Sequence, residues 1–117
     1  MANVVALVDD LFFQAKMLET ARQVGVELKM VTTGDALVAE AQQNAAALVI
    51  VDLNARRGAI EALERLRATG NQRPVVAFLS HVQVELAERA RVAGCQQVMP
   101  RSTFTQNLAA ILSQAKS

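Results

Sequence analysis

Carboxylates are the groups through which this sequence could do chemistry. It holds four aspartates, Asp9, Asp10, Asp35 and Asp52, and three of them directly follow apolar runs. Asp9 and Asp10 follow VVALV, and Asp52 follows ALVIV. If those runs are neighbouring strands, three carboxylates meet at one end of a sheet. Unpaired carboxylates gathered there repel unless a cation sits among them. Hard oxygen donors with open water positions suit Mg²⁺. Taken singly, Asp10 or Asp52 reads equally well as a helix N-cap, but all three at two adjacent strand ends favour a site.

Two more polar positions end apolar runs. VVAFL runs into Ser80 and His81, and QQVMP runs into Arg101 and Ser102. A hydroxyl at Ser80 would look into the same crevice, although by itself Ser80 reads better as an N-cap. Arg101 would face the carboxylates from the far side, where an Arg before a helix is otherwise a solvated surface residue. His81 is the sole histidine and has no partner identifiable in the sequence, which favours an exposed loop position.

Parallel strands covered on both faces would position these residues. Val4–Val8, Leu48–Val51 and Val75–Leu79 are Val-rich and do not alternate with polar residues, the pattern of doubly buried strands. Val26–Thr32 alternates and Gln96–Met99 is weaker, so both suit the edges. Helical spacing marks Leu11–Val24, Gly34–Asn44, a segment carrying Ala59, Ile60, Leu63 and Leu66, and another carrying Leu86, Ala90 and Ala93. Phe104, Leu108, Ile111, Leu112 and Ala115 predict one continuous last helix. Gly25, Gly70 and Gly94 each follow a helix, where a left-handed cap residue is wanted, and Pro74 opens a strand position that needs no donor.

The order is strand–helix repeated five times, without linker or internal repeat. It predicts a doubly wound, three-layer α/β domain spanning residues 1–117. Five strands suit the order 2-1-3-4-5, taken from known folds of this class, with the crevice at the carboxyl ends of strands 1 and 3.

Composition removes other classes. Of the 117 residues 52% are hydrophobic and 20% charged, a globular balance. A net charge of +1 gives no basic face for nucleic acid, and four Phe without Trp or Tyr give few stacking platforms. One Cys and one His build neither a disulfide nor a structural zinc site. The longest apolar run, Ala45 to Val51, is too short to span a bilayer, and the start has no basic stretch of a signal peptide. The expected location is the cytoplasm, with no membrane or nucleic-acid partner.

A strand ending in Asp-Asp, another in Asp, a fourth in Ser and a fifth in a basic residue resembles the receiver domain of bacterial two-component response regulators, a flavodoxin-like fold. The resemblance covers the whole chain. It implies that Asp9, Asp10 and Asp52 bind Mg²⁺, that Asn54 adds its backbone carbonyl, and that Asp52 accepts a phosphoryl group from a phosphohistidine. Ser80 and Arg101 would contact that phosphoryl. The implied partners are a sensor histidine kinase or phosphotransfer protein and a downstream protein target. With nothing after the last helix to act as an output domain, the expectation is a stand-alone, non-enzymatic receiver in a phosphorelay.

The chain departs from the family where the signal is read out. Arg101 stands in place of Lys, and the two are not interchangeable. Val98 occupies the aromatic switch position, Pro100 precedes Arg101 rather than following it, His81 replaces a small residue, and the loop LNARRG lacks the usual Met-Pro. Arg101, Val98 and the altered loop favour the alternative, a receiver-like interaction module independent of phosphorylation, while the intact Asp9, Asp10 and Asp52 favour the receiver. A flavodoxin-like cofactor binder would need a phosphate loop where DDLFFQ is acidic. No GxGxxG or GxxxxGK occurs, and no nucleophile–base pair supports a hydrolase. Phe12 and Phe13 are consecutive on a helix, so both cannot face the core. One of them is expected to be partly exposed near the site, either resting on a loop or helping to dock a phosphodonor protein.

Overall fold

The computed structural model describes residues 3–43, 46–55, 58–70, 73–80 and 83–115. Five strands, β1 (Val4–Leu7), β2 (Leu28–Val31), β3 (Leu48–Asp52), β4 (Val75–Leu79) and β5 (Gln97–Pro100), form one sheet in the order β2-β1-β3-β4-β5. Every neighbouring pair is parallel, with Val4 opposite both Leu28 and Leu48, and Asp52 opposite Phe78. The intervening helices are α1 (Leu11–Val24), α2 (Gly34–Gln43), α3 (Ala59–Ala68) and α4 (Val84–Val92), followed by α5 (Arg101–Gln106) and α6 (Leu108–Ser113). The expected doubly wound fold and strand order are what the chain adopts.

Strand chemistry explains the order. β1, β3 and β4 are buried at every residue. Successive side chains point to opposite faces. Val5, Leu7, Val49, Val51, Val75, Ala77 and Leu79 therefore pack under α2, α3 and α4, joined by Leu37, Leu63, Leu66 and Ala90. Val4, Ala6, Leu48, Ile50, Val76 and Phe78 pack on the other face with Phe13, Met17, Phe104, Leu108 and Leu112 of α1, α5 and α6. A strand apolar on both sides can only be central. β2 places exposed Lys29 between covered neighbours, β5 is half-buried only at Val98 and Met99, and the two take the edges.

Gly25 ends α1 in the left-handed region, at φ 78°, and its N–H reaches the carbonyls of Ala21 and Arg22. Such a cap is open to Gly because it has no Cβ. Gly70 and Gly94 also have positive φ, as expected. The single last helix is not what forms. Asn107 separates α5 from α6 at φ −109° and ψ 12°, while its side-chain amide donates to the Thr103 carbonyl. Asn competes for backbone groups in this way, yet the buried stripe Phe104–Leu108–Ile111–Leu112 runs across the break. Strand ends also shift. β1 stops at Leu7, β2 is only Leu28–Val31, β3 extends to Asp52, and β5 runs from Gln97 through Pro100. No helix among the described residues is long and apolar enough to cross a membrane.

Candidate functional site

The carboxyl ends of β1 and β3 lie side by side in the middle of the sheet, where the strand order changes direction. This is the position at which open α/β sheets present a crevice. It receives Asp9 and Asp10 from the β1–α1 turn, Asp52 from the end of β3, Ser80 from the end of β4 and Arg101 from the start of α5.

Asp10 is the N-cap of α1. Its Oδ1 accepts the N–H of Phe12 at 3.0 Å and of Phe13 at 3.2 Å. Its Oδ2 accepts Arg101 Nη2 at 3.1 Å, a pair formed across 91 positions of chain. The Phe13 N–H, then the hydrogen bond and charge of Arg101, hold the Asp10 carboxyl below the ordinary value. Arg101 is thus no loose surface cation. Its guanidinium carbon lies 4.3 Å from the Phe13 ring centroid and 5.9 Å from that of Phe78, within cation–π reach of about 6 Å. Beneath it Phe13, Phe78 and Phe104 pack ring to ring, with centroids 4.4–6.0 Å apart. Phe13 is buried, while its neighbour Phe12 is 91% exposed at the rim.

Asp52 is the one buried charged side chain among the described residues. Burial raises its pKa, and the charges of Asp9 and Asp10 push the same way. The Asn54 N–H, donated to Asp52 Oδ1 at 2.9 Å, and the charge of Arg101 pull against them. Asn54 also bridges two loops. Its side-chain oxygen accepts the Ser80 N–H at 2.6 Å, and its side-chain nitrogen donates to Gln83 Oε1 at 2.9 Å. Gln83 immediately precedes α4 and is its N-cap, so Ser80 is not the cap that its residue type suggests. Ser80 itself is exposed. Val98 of β5 packs at the edge of the α2–α4 cluster and lines a shallow pocket of about 180 Å³ with Leu79, Val84 and Met99. His81 lies outside the described residues.

The arrangement does not fit Mg²⁺. That ion needs near-octahedral oxygen ligands and sheds water reluctantly. Both oxygens of Asp10 are engaged, one of them by a cation. Among the described residues no three of His, Cys, Asp or Glu are grouped so that they could hold a metal ion.

Sequence reasoning misses the Phe trio and the bridging side chains of Asn54 and Gln83. Phe78 carries a signal, since β3 and β4 set in register bring it opposite Asp52. Asn54 and Gln83 carry none, being polar residues in loops.

The sequence matches no protein-family model and no curated protein. The solved structures that resemble it are consistently receiver domains of response regulators. The chemotaxis response regulator CheY4 of Vibrio cholerae superposes with a TM-score of 0.84 at 18% identity, covering 99% of each chain. The receiver domain of the response regulator NarL from Mycobacterium tuberculosis gives 0.81 at 15% identity, covering 99% of this chain and 97% of that one. NtrX from Brucella abortus gives 0.80 at 18% identity, and there the chain spans only 26% of the longer protein. At these identities the likeness is one of fold.

Proposed function

We propose that this chain is a phosphorelay receiver, a cytoplasmic signalling module rather than an enzyme, which accepts a phosphoryl group on Asp52 and signals through protein contacts. The observation that carries this reading is Asp52 itself. It is a buried carboxylate at the switch point of a receiver-type sheet, with one oxygen held by the Asn54 N–H and a guanidinium nearby. In the proposed step an Asp52 oxygen attacks phosphorus, the donor's phosphohistidine N–P bond breaks, and the imidazole leaves and takes its proton from water. The acyl phosphate adds close to two negative charges. Arg101 is the cation on hand: with Nη2 kept on Asp10, the rest of its planar fork can meet the phosphoryl oxygens. Ser80 stands at the end of β4 as a further contact. Mg²⁺, the cofactor this reading implies, would reach Asp10 only by displacing Arg101. The partners would be a sensor kinase or phosphotransfer protein and a downstream target.

A second reading, an interaction module that no longer depends on phosphorylation, is favoured by the Asp10–Arg101 pair and by Val98. Mass spectrometry after incubation with acetyl phosphate, with and without Mg²⁺, separates the two. The receiver reading expects one phosphoryl group on the Asp52 peptide and none on Asp52→Asn. Wild-type protein left unmodified by both acetyl phosphate and a phosphohistidine donor gives the second reading.

A further inference from the structure

We propose that Arg101 is a built-in counter-ion that takes the charge-balancing place of a divalent cation at the carboxyl end of the sheet, and that it excludes Mg²⁺ from the wild-type domain. The proposal goes beyond the receiver reading, because it concerns the cation rather than the phosphoryl acceptor.

Three observations carry it. The guanidinium bonds Asp10 Oδ2 at 3.1 Å, so the carboxylate of the β1–α1 turn already carries a cation. Second, it is held in place. It lies over Phe13 at 4.3 Å and near Phe78, and the Arg101 carbonyl accepts Thr105 Oγ1 at 2.8 Å, tying the residue into the first turn of α5. Its side chain is 31% exposed, so water screens it only in part. Third, the remaining oxygen of Asp10 is already taken by two backbone N–H groups. An arriving Mg²⁺ would have to shed water, break the ion pair and unstack the guanidinium, while a permanently charged group repelled it. Lys at this position would lack the planar face that lies on the rings and would be displaced more readily.

The test needs no phosphoryl donor, so its failure is distinct from failure of the receiver reading. Thermal unfolding is followed at constant ionic strength, with and without millimolar MgCl₂, for wild type, Arg101→Gln, Arg101→Ala and the double variant Arg101→Gln/Asp10→Asn. The wild-type Tm should not move. The two single variants should gain on the order of 5 °C when Mg²⁺ stands at about ten times its Kd, and the double variant should lose that gain. In parallel, Mn²⁺ should broaden the amide resonances of Phe13 and Asn54 in Arg101→Gln but not in wild type. Arg101→Gln keeps most of the side-chain stem, so it reports even if the alanine variant folds poorly. A wild-type gain equal to that of the variants, with matching Mn²⁺ broadening, overturns the proposal. So does the absence of any response in all of them.

Discussion

On the β1 side of the crevice, Asp10 is held by two backbone N–H groups and a guanidinium that itself rests on a buried aromatic cluster. On the β3–β4 side, Asp52 is joined through Asn54 to Ser80 and Gln83 by hydrogen bonds among exposed loop residues. The first side is anchored to the core and the second to loops. Loop hydrogen bonds open at far lower free energy than core packing does. A change of charge at Asp52 should therefore be read out through Asn54 and the start of α4, with the Asp10–Arg101 side as the fixed reference.

The strongest way to break this contrast is to remove the floor of the fixed side. Phe78 is fully buried and stacks on Phe104 at 4.4 Å. Phe78→Ala should cost about 3–5 kcal/mol in urea unfolding. It should also lower the Asp10–Arg101 coupling measured by a double-mutant cycle.

A smaller effect is expected at Asp10. Asp10→Ala should lower the Tm by a few degrees through loss of the cap, while Asp10→Asn keeps the cap and loses only the ion pair. Asp10 titrates below its ordinary value. Its charged form therefore contributes stability above the unfolded-state pKa, and that contribution is lost as pH falls through the lowered folded-state value. The gap between wild type and Asp10→Asn should accordingly close in strong acid.

Asp52 has the opposite sign. Burial raises its pKa, so it favours the fold most when protonated, below the unfolded-state value, and that advantage is lost as pH rises through the raised folded-state value. Asp52→Asn should raise the Tm at neutral pH, and the gain should vanish below about pH 4, where wild-type Asp52 is itself protonated. The smallest effect is expected from Asn54→Ala, about 0.5 kcal/mol for exposed hydrogen bonds. Its sharper signature is faster hydrogen exchange at the Ser80 amide, with no change in the Asp10–Arg101 coupling.

Most of the framework is legible in the order of the residues. Val4–Val8, Leu48–Val51 and Val75–Leu79 read as doubly buried strands because burial on both faces leaves no place for alternating polar residues. Leu11–Val24 is readable to its ends, since Asp10 and Gly25 are the residues that helix termini prefer. The break in the last helix is not readable. An apolar stripe reports which face is buried and carries no record of Asn107 turning its amide onto the Thr103 carbonyl. Asp9, Asp10 and Asp52 can be assigned to one end of the sheet from their place after apolar runs. That Asp10 caps α1 is legible as well, but that its other oxygen meets Arg101, and what Asp52 bonds to, are not.

Residue order alone dictates the layers, the central strands and the end of the sheet that carries the acids, because apolar periodicity and strand–helix alternation are local properties that every compact arrangement must respect. Three-dimensional packing settles the rest: that Asp10 meets Arg101 rather than water, that Phe13 and not Phe12 lies beneath that guanidinium, and that Asn54 ties Asp52 to α4. Apart from the local Asn54 N–H on Asp52, these contacts join side chains from elements that the crossovers bring together. Their geometry follows from how the packed helices and strands settle against one another, which no spacing along the chain records.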